Sequence, residues 1–173
     1  GEAAIIDPLR ETEPYVRMAE ADNATIKYIF LTHFHADFVS GQYDLAQKTG
    51  TKIIFGPNAT AEYDIYNGKD GEEGNTPYVC TGDCLFIGDV GRPDLAVKSD
   101  LTQADLAGHL FDSLRNKIMT LPDDIIVYPN HGAGSACGKN MSSETFDTLG
   151  NQKKTNYALR ADMSKEEFIK EVT

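Results

Sequence analysis

The chain has 173 residues, 40% of them hydrophobic, which is enough to bury one substantial core and predicts a single domain. Its 16 basic residues are outnumbered by 27 acidic ones, for a formal net charge of −11. Such a surface repels nucleic-acid phosphates and anionic membrane, so neither is expected as a partner.

Residues 3–6 read as a buried strand, stopped by Asp7-Pro8. Thr12 can cap a helix over roughly 13–22, with Pro14 near its start. Residues 26–31 form a second apolar strand that ends directly at Thr32-His33. A Gly-bearing loop leads into a helix across 41–48, and 52–55 is a third strand before Gly56-Pro57. This alternation argues for an α/β layered fold. Residues 78–80 and 84–87 read as paired strands around the turn Thr81-Gly82-Asp83. The clearest helix spans 102–118. Thr102 caps it, Asp105 sits three residues on, and Leu106, Leu110, Leu114 and Ile118 make one apolar stripe. Leu121-Pro122 ends it. Residues 125–128 are another buried strand, leading to His131, and the polar stretch 139–156 reads as a solvated connection with a short helix.

Ser164 and Glu167 form a capping box that starts a last helix. That helix reaches Thr173 without a stop signal, and Gly1 opens almost at once into a strand, so more chain is expected on both sides. No apolar run approaches a membrane span and no basic-then-apolar leader is present, which predicts a soluble protein. Three cysteines, Cys80, Cys84 and Cys137, are too few and too unevenly placed for a disulfide framework. They point to a reducing, cytoplasmic compartment.

His33-Phe34-His35-Ala36-Asp37 carries the central chemistry. Two imidazoles and a carboxylate at alternate positions, just past a strand, can turn towards one point and ligate a divalent metal. The competing reading is an alternating surface strand with chance histidines. Asp83, in a turn between apolar strands, and His131, before Gly132-Ala133-Gly134, are further candidate donors, because α/β folds gather their sites at strand ends. A turn aspartate is more often only a backbone cap. His109, beside the helix stripe, reads as structural. Cys137, near Lys139 on a Gly-rich loop, is either a thiol of lowered pKa acting as nucleophile or sulfur acceptor, or a small space-filling residue. Cys80 and Cys84 read as core. Arg92 is either an anchor for an acidic thiol substrate or half of a structural ion pair with Asp94 or Asp89.

Thr32-His33-Phe34-His35-Ala36-Asp37-Phe38 resembles the metallo-β-lactamase superfamily signature H-x-H-x-D-H except at its last place. Thr81-Gly82-Asp83 with Gly88-Asp89-Val90-Gly91-Arg92-Pro93-Asp94, and Tyr128-Pro129-Asn130-His131-Gly132, are similar to the persulfide dioxygenase branch, in particular to bacterial members that carry rhodanese domains after the metal domain. The resemblance implies an αββα four-layer sandwich with one iron, Fe(2+), held by two histidines and an aspartate. Carried over residue by residue, it makes His33 and Asp83 ligands, and His35, Asp37 and His131 neighbours or alternative ligands. It also implies a low-molecular-weight thiol persulfide and O2 as substrates, sulfite and thiol as products, and a rhodanese domain as partner in cis; a homo-oligomer stays open. Cys137, Arg92 and Lys139 are the substrate or catalytic candidates.

Phe38 stands where the binuclear hydrolases of the superfamily have a histidine, and a phenyl ring donates no lone pair, so one metal is expected. A second departure is larger. The family's other ligating histidine should lie between Phe55 and Asp83, where this sequence has none. Either the protein lacks that segment and binds metal badly, or the segment is missing near Gly74, within 71–77, and the numbering closes over the gap. The second is favoured, because deleting central strands leaves unpaired sheet edges. The rival functions are a thioester hydrolase of glyoxalase II type using zinc, Zn(2+), and a non-catalytic domain on the same fold.

Overall fold

The structure, a computed structural model, describes residues 1–68, 78–97 and 100–173. The gap expected near Gly74 therefore lies outside the described residues. The chain divides into two compact units, Gly1–Gly74 and Asn75–Thr173, each with its own apolar core. Among the described residues no helix is long and apolar enough to cross a membrane.

In the first unit the order is β1 (Glu2–Ile6), α1 (Glu13–Ala21), β2 (Thr25–Phe30), α2 (Gln42–Thr49), β3 (Lys52–Phe55) and β4 (Tyr66–Asn67). The strands form a parallel sheet in the order β1-β2-β3-β4. Strand periodicity of two sends Ile5, Ile29 and Ile53, which are register partners, to one face. There the core contains Ala19 of α1 and Leu45 of α2. Fully buried aliphatic chains such as Ile29 and Leu45 each contribute about 1.5–3 kcal/mol. The opposite face carries the row Ile6, Phe30, Ile54 and Tyr66, one residue from each strand. Ile6 is 41% exposed, Phe30 36% and Tyr66 51%. Parallel sheets are usually covered on both faces, so this apolar row is unusual.

The second unit follows with β5 (Tyr78–Gly82), β6 (Leu85–Phe86), β7 (Asp89–Val90), α3 (Gln103–Ser113), β8 (Ile126–Pro129), β9 (Asp147–Thr148), α4 (Leu149–Thr155) and α5 (Lys165–Val172). Strand β8 lies between β5, parallel to it, and β9, antiparallel to it, while β6 and β7 form a separate hairpin. The expected pairing of 78–80 with 84–87 does not form. A tight turn at Thr81–Cys84 diverts the chain, with Cys84 N donating to Thr81 O (3.0 Å) and Thr81 Oγ1 to Leu85 O (2.7 Å). Gly88, at φ 79, then makes the turn that pairs β6 with β7 instead. The capping boxes at Thr102/Asp105 and Ser164/Glu167 are both present, and α3 runs on into a π-helical turn, Leu114–Ile118. Leu114, Val127, Leu149, Leu159 and Phe168 are fully buried in this core. Buried Gln152 and Asn156 join it with their polar atoms satisfied. Gly88 N donates to Gln152 Oε1 (2.9 Å), and Asn156 Nδ2 donates to Asp89 O (3.0 Å), which ties the β6–β7 hairpin to α4.

Candidate metal centre

In the first unit the site is the loop that leaves β2. Leu31 N still donates to Ile54 O (2.9 Å), so the chain is in sheet register until the residue before Thr32-His33. Beyond it the loop is laced to the end of β1. Ser40 Oγ and Gly41 N both donate to Pro8 O at 2.9 Å. Asp7, at φ 46, is the hub. Its Oδ1 accepts Thr32 N (2.9 Å) and faces His35 Nε2 (2.9 Å), and its Oδ2 accepts Thr32 Oγ1 (2.8 Å). The pair is well shielded, with side-chain exposures of 8% for Asp7 and 2% for His35.

A carboxylate can only accept, so this geometry assigns the imidazole proton to Nε2 and leaves the lone pair on Nδ1. That nitrogen is buried and has no hydrogen-bond partner among the described residues. A histidine with a carboxylate on one nitrogen and the other presented bare is arranged as metal-ligating histidines are. His33 stands beside it, ring centroids 4.2 Å apart, with Nδ1 at 2.9 Å from Thr32 Oγ1. Phe38 packs on the His35 ring at 4.3 Å, an apolar wall where a donor would bring a second cation. Phe34 is 59% exposed and stacks on Phe55 (4.8 Å). Asp37 is exposed on the same loop.

In the second unit Asp83 occupies the turn after β5 and His131 the loop after β8. The two strands are register partners, which brings their C-terminal ends together. Asn130 N donates to Gly82 O (3.3 Å), and His131 Nε2 lies 3.3 Å from Asp83 Oδ1. Both side chains are half-shielded, at 16% and 30% exposure. Gly91 packs so tightly on Asp83 that a Cβ there would collide with the Asp83 carbonyl oxygen. The sequence-predicted donors of this unit are therefore brought together, and both units present ligand chemistry suited to a divalent cation.

The remaining candidates are placed differently. The Arg92 guanidinium is committed to Asp94, through Nε (3.1 Å) and Nη2 (2.5 Å), and to Ala136 O through Nη1 (3.0 Å). Its ion-pair partner is Asp94, one of the two carboxylates the sequence offered. The hydrogen bonds from Arg92 hold the Asp94 carboxyl below the usual carboxylate range. Lys139 places its ammonium on Val172 O (3.3 Å), and Arg92 is in Coulombic reach of Cys137. Cys84 is core-like, and burial pushes its thiol up to about 11. His109 is exposed on α3. Sequence reasoning missed Asp7, taken only as a strand stop, and the buried Asp89. An acidic residue directly after an apolar strand was the available signal for the first, and one set between apolar hairpin residues for the second.

A sequence model of the Metallo-beta-lactamase superfamily matches residues 1–66. A hydroxyacylglutathione hydrolase, GloC, of Haemophilus influenzae is 29% identical over 190 residues, covering 83% of this chain and 86% of that protein. The aligned span exceeds the 173 residues here, so part of the relative has no counterpart in this chain. Among solved structures, a metallo-beta-lactamase from Staphylococcus aureus subsp. aureus COL superposes with a TM-score of 0.81 at 30% identity, over 99% of this chain and 60% of its own. This chain thus spans less than two thirds of that protein. ETHE1 from Myxococcus xanthus gives a TM-score of 0.75 at 26% identity, over 98% of this chain and 78% of its own. Residues 1–66 thus match a metallo-β-lactamase-superfamily domain, and the chain has the metallo-β-lactamase fold.

Proposed function

We propose that the protein is a mononuclear non-haem iron persulfide dioxygenase, converting a low-molecular-weight persulfide, O2 and water into sulfite and the parent thiol. The observation that carries this reading is Phe38. It fills the place of the donor that the superfamily's binuclear hydrolases use, and it packs on His35 at 4.3 Å. The likeness to ETHE1, a persulfide dioxygenase, supports it.

As metal donors we propose His33 or His35 in the first unit, and in the second unit Asp83, with His131 as its neighbour or a further ligand. The fit rests on His35 Nδ1, buried and bare while Asp7 holds the other nitrogen. A set of two histidines and one carboxylate suits iron(II) and keeps positions open for small ligands. When bound, iron(II) would supply the electron-transfer chemistry that ground-state O2 requires. The chain's own groups do the rest. Asp7 fixes the His35 tautomer and ring plane through the 2.9 Å contact, and Thr32 locks the loop by giving both its amide and its hydroxyl to the same carboxylate. Phe38 offers no lone pair, so a second cation would lack the donor that the binuclear hydrolases supply at that place. Cys137, within Coulombic reach of the Arg92 guanidinium, is the thiol we propose for exchange of sulfane sulfur.

A thioester hydrolase using zinc is the second reading, favoured by the 29% identity to hydroxyacylglutathione hydrolase GloC. Anaerobic reconstitution separates the two. The proposal expects one metal per chain, with iron(II) supporting sulfite formation. Two metals per chain with cleavage of a hydroxyacyl thioester would overturn it.

A further inference from the structure

The loop that begins at His131 is bound to the β6–β7 hairpin at several points. Ser142 N donates to Ile87 O (2.9 Å) and Arg92 N to Cys137 O (3.0 Å). Between these anchors lies the Asp89 side chain, on a residue only 1% exposed. Its Oδ2 accepts the amides of Lys139 (2.7 Å) and Asn140 (2.6 Å). Its Oδ1 accepts Val90 N (2.8 Å) and the Tyr157 hydroxyl (3.0 Å). Gly138 makes this approach feasible, since a Cβ there would stand 3.0 Å from Asp89 Oδ2 and 2.9 Å from Met141 Cγ. The same hairpin returns onto the metal-candidate turn, where Gly91 N donates to Cys84 O (3.4 Å) and Gly91 packs on the Asp83 carbonyl. One hairpin is thus the common base for Asp83 and for the loop headed by His131.

We propose that Asp89 is a positioning residue for the candidate ligand pair Asp83 and His131. By holding the Lys139 and Asn140 amides it fixes the loop, and through the loop the place of His131 Nε2 beside Asp83 Oδ1. The consequence for metal binding rests on the reading of the preceding subsection; the clamp itself does not. The role demands an ionised carboxylate, because donors converge on both oxygens. An Asn would turn its amino group either on the two loop amides or on Val90 N, leaving buried donors opposed.

The test compares the full chain with Asp89→Asn and with Tyr157→Phe, which removes one of the four bonds and none to the loop. Hydrogen exchange over 132–142 is measured without metal, and cobalt(II) is titrated with its visible spectrum as a report of ligand geometry. Asp89→Asn is expected to raise exchange in that loop by about tenfold or more, to weaken cobalt(II) binding about tenfold and to change the cobalt spectrum. Tyr157→Phe is expected to leave both within about twofold. Should Asp89→Asn not fold, Gly138→Ala, which presses a methyl on the clamp from the loop side, is expected to act in the same direction. Unchanged exchange in the clamp variants, or equal effects of Tyr157→Phe, overturns the proposal. A wild type that takes up no cobalt sinks the metal reading instead, and the exchange data alone then decide for or against Asp89.

Discussion

Replacing Asp7 with alanine removes the acceptor of three hydrogen bonds in one step. The His35 ring, with a side chain 2% exposed, is then left with a buried Nε2–H that has lost its acceptor, a loss of about 1–3 kcal/mol. The half-buried Thr32 amide adds about 1 kcal/mol, since it is more easily hydrated. The total, about 2–4 kcal/mol, is a large share of the roughly 5–15 kcal/mol that holds a domain together. With a urea slope of about 2 kcal/mol per M, the metal-free midpoint should fall by about 1–2 M. Metal affinity should fall about 10–100-fold, because nothing then fixes the His35 tautomer. Asp7→Asn is the control. Its carbonyl can still accept Thr32 N and His35 Nε2 while its amino group donates to Thr32 Oγ1, and asparagine tolerates the φ of 46. It should stay within about 1 kcal/mol of wild type. Asp7→Ala with an unchanged urea midpoint and unchanged cobalt(II) affinity would refute the reasoning.

Other consequences follow from the same geometry. Gly91→Ala forces a methyl into the Asp83 carbonyl and should destabilise by about 3 kcal/mol, at the upper end for overpacking, with loss of metal uptake read by calorimetry. Phe38→His supplies the absent donor and should raise metal stoichiometry from one to two per chain, measured by elemental analysis. Cys84 has a folded-state pKa raised from 9.0 to about 11 by burial, so its contribution to stability is fully present below 9.0 and is lost as pH rises towards 11. Thermal melts of wild type and Cys84→Ser should therefore differ in slope across that window and run parallel below it. The partly exposed apolar row Ile6, Phe30 and Tyr66 should bind an environment-sensitive dye in the native state, and Phe30→Ser should reduce the signal.

Much of the fold was legible because its signals are local. The β1, β2 and β3 strands are short apolar runs closed by Pro or Gly, and both capping boxes sit where the Thr102/Asp105 and Ser164/Glu167 spacings place them. What failed was pairing. Strands 78–80 and 84–87 looked like a hairpin around Gly82, yet β5 pairs with β8, a partner more than forty residues away that no local pattern announces. The two-residue strands β4, β6, β7 and β9 are too short to carry a period. In the site, the ligand types were visible in the H-x-H-x-D motif, because imidazoles at alternate positions are rare without a purpose. The supporting carboxylates were not. Asp7 and Asp89 act through neighbours 28 and about 50 residues distant in sequence, and an isolated aspartate in a turn looks like any other.

Oxygen uptake by the iron(II)-loaded protein on addition of glutathione persulfide tests the central reading most directly. The account predicts consumption of one O2 for each sulfite released, abolished by His35→Ala and absent from the zinc form. Hydroxyacyl-thioester cleavage by the zinc form, with no oxygen consumed by the iron form, would contradict it.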